Sequence, residues 1–290
     1  MPIAVLAPPL FVLLWSSAFV SAKYGLPHAD PLTFLFIRFV LVALAFAALA
    51  LVFRAAWPSS WRQVLDIAVV GALVHGVYLS GVFIAISIGL PAAVASLIVG
   101  LQPILTALLA GRMLGEAVFT RQWIGLGLGL TGVGLVLWER LTLEGLSTIG
   151  VAFCVLSLIC IAIGTLYQKR YAADMPLLAG SVIQAATACI LTGIGAVLFE
   201  PMRVDWTSEF ILSLGWLVIG VSLGAFSLLM VMIKQGAAVK VASLFYLVPP
   251  TTAVMAWLGF NEQFGLLAVL GIAIAAVGIA LVVRPPKPVS

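Results

Sequence analysis

Charge is scarce in this 290-residue chain: Asp, Glu, Lys and Arg together make up 8% of it, against 64% hydrophobic residues. Soluble domains carry about 25% charged residues, and no water-soluble core of this length hides so much apolar surface. The scarcity excludes a soluble globular domain and makes the bilayer the solvent. The net charge of +4 would suggest nucleic acid in a soluble protein. Here the basic residues sit between apolar segments, so they read as topology signals and not as a polyanion surface. Cysteine is scarce too. Cys154, Cys160 and Cys189 all fall in apolar segments, with no CxxC and no paired His. That excludes a disulfide framework and a zinc site and leaves them as small core residues. Asp30, Asp66, Asp174 and Asp205 stand isolated, and His28 lies two residues from Asp30 with no further partner. A membrane-bound transferase needs a paired-Asp metal motif or a His/Asp couple. No catalytic residue, metal or cofactor is expected.

What the chain has is long apolar runs. A helix needs roughly 20 apolar residues to cross the hydrocarbon layer. Ten stretches qualify: Ile3–Ala22, Pro31–Phe53, Val64–Ile88, Pro91–Gly111, Trp123–Trp138, Ile149–Leu166, Met175–Phe199, Phe210–Ile233, Ala238–Phe260 and Leu266–Val283. The fifth and tenth are short and glycine-rich. The first has no basic segment before it and is read as a retained span. The expected fold is an all-α integral membrane protein with ten transmembrane helices and no soluble domain.

Lys and Arg orient it. With the N-terminus cytoplasmic, the inside loops and tail hold Arg54, Arg62, Arg112, Arg121, Lys169, Arg170, Lys234, Lys240, Arg284 and Lys287, while the outside loops hold Lys23, Arg140 and Arg203. That bias places both termini in the cytoplasm. The chain also says nearly the same thing twice, 146 residues apart. Leu101-Gln102-Pro103 recurs as Leu247-Val248-Pro249, Thr106-Ala107 as Thr252-Ala253, Glu116 as Glu262, Gly125 as Gly271, Gly132 as Gly278, Val136 as Val282 and Lys23 as Lys169. The repeats are assigned to residues 1–142 and 143–290. Five spans per repeat is an odd number, so the second repeat enters the membrane from the opposite side. Two inverted five-helix repeats give two related conformations, each open to one side.

The order of these signs resembles a known family. Each half ends in a Pro-containing helix, a Glu turn (Leu114-Gly115-Glu116 and Phe260-Asn261-Glu262) and a Gly-rich last helix. The first span carries Trp15-Ser16-Ser17-Ala18-Phe19 and the second Phe36-Ile37-Arg38-Phe39. Across its whole length the chain resembles the EamA-type members of the drug/metabolite transporter superfamily. Within it the chain is most similar to the YddG-type bacterial exporters of amino acids, aromatic ones included. The resemblance implies a multi-pass protein of the bacterial inner membrane. It implies a small-molecule substrate, amino acids or related metabolites, carried by alternating access through a cavity between the repeats. Other cargoes on the same architecture are drugs or cationic toxins and nucleotide-sugars. A phosphate-bearing cargo wants several intramembrane cations, and only Arg38 lies clearly inside a span. Monomer and homodimer are both open.

Polar residues inside the spans are the candidate substrate-binding residues, since each must be satisfied without water. Arg38 suits a substrate carboxylate; its other reading is a snorkelling cation near the outer surface. His75 and Tyr78 share a helix face, either lining a cavity or bonded to a neighbouring helix. Trp15, Ser16 and Ser17 lie mid-span, as a stacking wall or as close-packing glue. Gly100-Leu101-Gln102-Pro103 and Tyr246-Leu247-Val248-Pro249-Pro250 are matched interruptions, the best sequence pointer to a transporter's site. They nominate Gln102, Ser243 and Tyr246 as polar liners and Pro103, Pro249 and Pro250 as helix-break or gating residues; two kinked packing helices are the alternative. Glu116 and Glu262 are expected to cap helices. Gly125, Gly127, Gly129, Gly132 and Gly134 read as close helix packing, within the chain or across a dimer. No acid lies in the central part of any span. Transport is therefore expected to be uncoupled, or coupled through His75.

Overall fold

The computed structural model describes residues 2–114, 119–143, 147–225, 227–228, 232, 244–261 and 264–283. In hydrocarbon every backbone group must bond within its own segment, and the described residues are helical almost throughout. In chain order they form α1 (Pro2–Gly25), a 3-10 turn (Leu26–His28), α2 (Pro31–Val52), α3 (Trp61–Val70), a π-helical segment π1 (Gly71–Val77), α4 (Tyr78–Ser87), α5 (Ala92–Val99), α6 (Gln102–Leu114), α7 (Thr120–Leu143), α8 (Thr148–Tyr171) and α9 (Leu177–Phe199). Then follow α10 (Ser208–Gly215), a second π-helical segment π2 (Trp216–Ala225), a 3-10 turn (Phe245–Leu247), α11 (Val248–Phe260) and α12 (Leu266–Val283).

Seven helices among the described residues are long and apolar enough to cross a membrane: Leu6–His28, Pro31–Val52, Trp61–Ser87, Ala92–Gly111, Thr148–Tyr171, Leu177–Phe199 and Ser208–Ala225. The fifth stretch, expected at Trp123–Trp138, is a longer helix, Thr120–Leu143. Polar residues at its ends join a helix whose backbone must stay bonded, and hydropathy alone does not count them. Part of the expected eighth and ninth stretches lies outside the described residues.

Packing divides the chain into two compact units. One comprises Met1–Val20, Leu90–Ser147 and Leu223–Ser290; the other Ser21–Gly89 and Thr148–Ser222. Each takes segments from both sequence repeats. In the first unit, α7 and α12 pack closely and antiparallel. Gly132 lies against the backbone of Gly271 and Ala275, and Gly278 against the backbone of Gly125 and Gly129. Gly271 and Gly278 stand 146 residues after Gly125 and Gly132, so each glycine meets the repeat counterpart of the other. Glu139, buried near the end of α7, accepts from Gly265 N (2.6 Å) and Ala268 N (2.8 Å) at the start of α12.

The second unit repeats the theme. Helices α2 and α9 pair antiparallel, with Leu32 against Gly195 and Phe36 against Gly193. Glu200, just past α9, accepts from Leu32 N (2.7 Å), Thr33 N (2.8 Å) and Thr33 Oγ1 (2.8 Å), which satisfies the open amides at the start of α2. The segments before α2 and after α9 are clipped together: Asp205 N donates to His28 O (2.7 Å), and Arg203 N donates to the Asp30 carboxylate (2.8 Å). Among the described residues, Glu139 and Glu200 are acids that cap helix starts. The Glu116 and Glu262 expected in that role lie outside the described residues.

The glycine contacts predict unequal costs. A Cβ at Gly132 would meet the Gly271 carbonyl, whereas one at Gly134 meets nothing within 4 Å. Gly132→Leu should destabilise by about 1–3 kcal/mol and Gly134→Leu far less. Thermal melting in detergent compares them, and equal losses would contradict the pairing.

Candidate functional site

The matched helix breaks are present. Helix α5 stops at Val99 and α6 begins at Gln102; the 3-10 turn ends at Leu247 and α11 begins at Val248, 146 residues after Gln102. Pro103 and Pro249 each occupy the second position of the restarted helix, with Pro250 next, where a missing N–H leaves no intrahelical bond unmade. Gly100 lets the Pro249 ring approach the α5 backbone, since a Cβ there would sit 2.7 Å from Pro249 Cγ. Gln102 is half-buried at the α6 start. Ser243 lies outside the described residues. Tyr246 is placed in the 3-10 turn by its backbone, and its side chain lies outside what is described.

In the same unit, Trp15, Phe11 and Phe245 form a triangle of rings, Trp15 lying 5.4 Å from Phe11 and 5.4 Å, edge-on, from Phe245, and the two phenylalanines 5.5 Å apart. The cluster also holds Ala7, Val12, Ala225 and Met232. Ser16 is fully buried; its hydroxyl donates to Val248 O (3.4 Å), and its carbonyl accepts from Thr252 Oγ1 (3.5 Å). Ser17 donates to Leu14 O of its own helix (2.7 Å). The Ser16 and Thr252 hydroxyls join α1 to the start of α11, beside the break.

The other unit gathers Arg38, His75 and Tyr78. Arg38, 5% exposed on α2, donates from Nη2 to Ser222 Oγ in π2 (3.2 Å). Its Nε is buried with no hydrogen-bond partner. Its guanidinium carbon lies 5.8 Å from the Phe39 ring centre. His75, in π1, donates from Nε2 to Gln184 Oε1 of α9 (3.2 Å), and its ring stands edge-on to Phe39 at 6.0 Å. Gln184 Nε2 donates onward to Met175 Sδ (3.3 Å). Tyr78 is buried at the start of α4. A buried cation needs an anion or dense hydrogen bonding, and the described partner of Arg38 is one hydroxyl.

Gln184 and Ser222 were not nominated by sequence. Gln184 carried a readable signal, since it stands 146 residues after Arg38. Ser222 carried none: it lies within π2, whose winding no residue spacing announces.

The chain matches the model of the EamA-like transporter family twice, over residues 3–138 and 148–284. It belongs to this family. It is therefore a membrane transporter and not an enzyme. An uncharacterized transporter, YvbV of Bacillus subtilis (strain 168), is 27% identical over 276 residues, covering 93% of this chain and 88% of its own. A probable amino-acid metabolite efflux pump of Escherichia coli (strain K12) is 26% identical over 282 residues, covering 93% and 91%. One crystal structure superposes with a TM-score of 0.66 over 96% of this chain and 95% of its own, at 22% identity. That likeness concerns the fold alone.

An unpaired buried guanidinium is a cost to folding. Arg38→Met keeps the apolar stem and removes the charge, so the variant should melt no lower than the parent, and up to about 3 kcal/mol more stably. Thermal melting in detergent decides. A loss as large as that of a core truncation would make Arg38 a structural residue.

Proposed function

We propose that this transporter exports amino acids, aromatic ones included, from a bacterial cell by alternating access. The observation that carries the reading is the Arg38 side chain, buried with an unpartnered Nε and a single hydroxyl for company. Arg presents a planar fork matched to carboxylates. A lone buried cation repels cationic drugs, and one guanidinium is too little for a nucleotide-sugar diphosphate. The printed name of the Escherichia coli relative, a probable amino-acid metabolite efflux pump, agrees with this substrate class.

The architecture proposed is ten transmembrane helices in two inverted repeats, residues 1–142 and 143–290, with both termini cytoplasmic in the inner membrane. Two observations support it. The α7–α12 and α2–α9 pairs run antiparallel, as helices related by an in-plane two-fold axis must. In α7–α12 the contacts exchange repeat counterparts, the isologous pattern of a two-fold interface. His75 and Tyr78 flank the Arg38 neighbourhood as substrate-binding residues. Trp15, Ser16, Ser17, Gln102, Ser243 and Tyr246 are proposed as further substrate-binding residues, around the helix breaks at Pro103, Pro249 and Pro250, which serve as helix-break or gating residues.

Counterflow in proteoliposomes tests the reading. Vesicles preloaded with phenylalanine, threonine or methionine should accumulate the matching labelled amino acid. A pH gradient should not change this, because no acid lies in the central part of a span. Arg38→Gln should lower uptake at least about tenfold, the worth of a charge-assisted hydrogen bond. Silence across the amino acids with uptake of cationic drugs or nucleotide-sugars would overturn the cargo.

A further inference from the structure

The π-helical segments occupy matched positions. Residues 71–77, shifted by 146, fall on 217–223, inside π2 (Trp216–Ala225). Less than 1% of residues in soluble proteins are π-helical, mostly as single turns at functional sites. Two such segments at counterpart positions mark a feature of the repeat. Each is fastened by a side chain from the other half. Arg38 of the first repeat holds π2 through Ser222, and Gln184 of the second holds π1 through His75. Arg38 and Gln184 are themselves counterparts, 146 residues apart. All four residues lie in one packing unit.

The two fastenings differ in chemistry. The Ser222 hydroxyl spends its only proton on Leu217 O, five residues back within π2 (2.9 Å). It therefore meets Arg38 purely as an acceptor. A carboxylate is a better acceptor for a guanidinium, since charge-assisted bonds are roughly twice as strong as neutral ones and pair bidentately. Gln184 and His75 form a neutral bond, and an anion has no comparable advantage there.

We propose that the Arg38–Ser222 bond is a substrate-released latch on π2 and that Gln184 and Ser222 are positioning residues for the two π segments. The inference rests on the reading of Arg38 as a carboxylate site. An arriving carboxylate takes the guanidinium and Ser222 is let go. Segment π2, under-wound and poorly bonded, is then free to rearrange, while His75–Gln184 keeps π1 fixed. Occupancy is thereby coupled to motion with no acid in the central part of a span.

Hydrogen–deuterium exchange of the full chain in lipid nanodiscs, with L-phenylalanine as the probe, tests the latch, and equilibrium binding of labelled phenylalanine is measured in parallel. Saturating phenylalanine should speed exchange over residues 216–225 about tenfold, the worth of one hydrogen bond to a charged group, and leave 71–77 unchanged. Without ligand, Ser222→Ala should speed 216–225 alone and abolish the further ligand effect, and Gln184→Leu should speed 71–77 alone. If phenylalanine binds yet slows exchange over 216–225 or leaves it unchanged, the latch falls and the carboxylate site stands; that arm needs no variant. If Arg38→Gln binds phenylalanine as tightly as the parent, or the parent binds none, the carboxylate site falls and the latch with it.

Discussion

Inside a bilayer a polar group has only the partners its own chain supplies. The described interior obeys this closely. Hydroxyls of Ser157, Thr165, Ser181, Thr187 and Thr192 return to carbonyls four residues back. Ser21 and Ser213 bond to one another, and buried Glu139 is consumed by the amides of α12. Three buried side-chain atoms among the described residues lack a hydrogen bond: Arg38 Nε, Thr106 Oγ1 and Arg121 Nε. Arg121 belongs to a span end, against the Phe119 ring. Thr106 is a neutral hydroxyl. Among the described residues only Arg38 combines a charge, burial within a span and an open donor, and the proposed carboxylate site rests on that combination.

The same solvent explains why glycine and repeat counterparts recur at the contacts. Lipid tails are as apolar as Leu, so helices gain little from hiding apolar surface and much from approaching closely. Gly132 against Gly271 and Gly278 against Gly125 bring backbones together. A duplicated sequence packed about a two-fold axis uses one favourable surface twice. Gly127 and Gly134, on the same glycine run, meet nothing within 4 Å, so the run is not uniformly a packing seam. Which of its glycines pack is set by helical phase.

Much of this was legible in the sequence. Apolar length marked the helices, and the 146-residue echo marked the duplication and the paired breaks, because each is written in residue type and spacing. The candidate site was legible only in part. Arg38 and His75 stood out as polar residues in apolar runs, yet their partners did not. Gln184 occupies the counterpart position of Arg38, but the pair differs in residue type, so identity between the repeats does not reveal it. Ser222 was invisible because π winding is not encoded in hydrophobic period. The ends of α7 were missed for a simpler reason: a helix continues through polar residues once its backbone bonds are made, and hydropathy stops short of them.

Duplication explains why the one charged fastening carries a direction. Two identical repeats would hold π1 and π2 by the same bond, and no ligand could tell the halves apart. With arginine at 38 and glutamine at 184, one bond has a charged donor and a neutral acceptor and the other is neutral on both sides. A ligand shifts an equilibrium only by its differential affinity for the two states. A carboxylate distinguishes a guanidinium from an amide, so under the proposed carboxylate site the asymmetry at this pair of positions would be where substrate binding gains a preferred conformation.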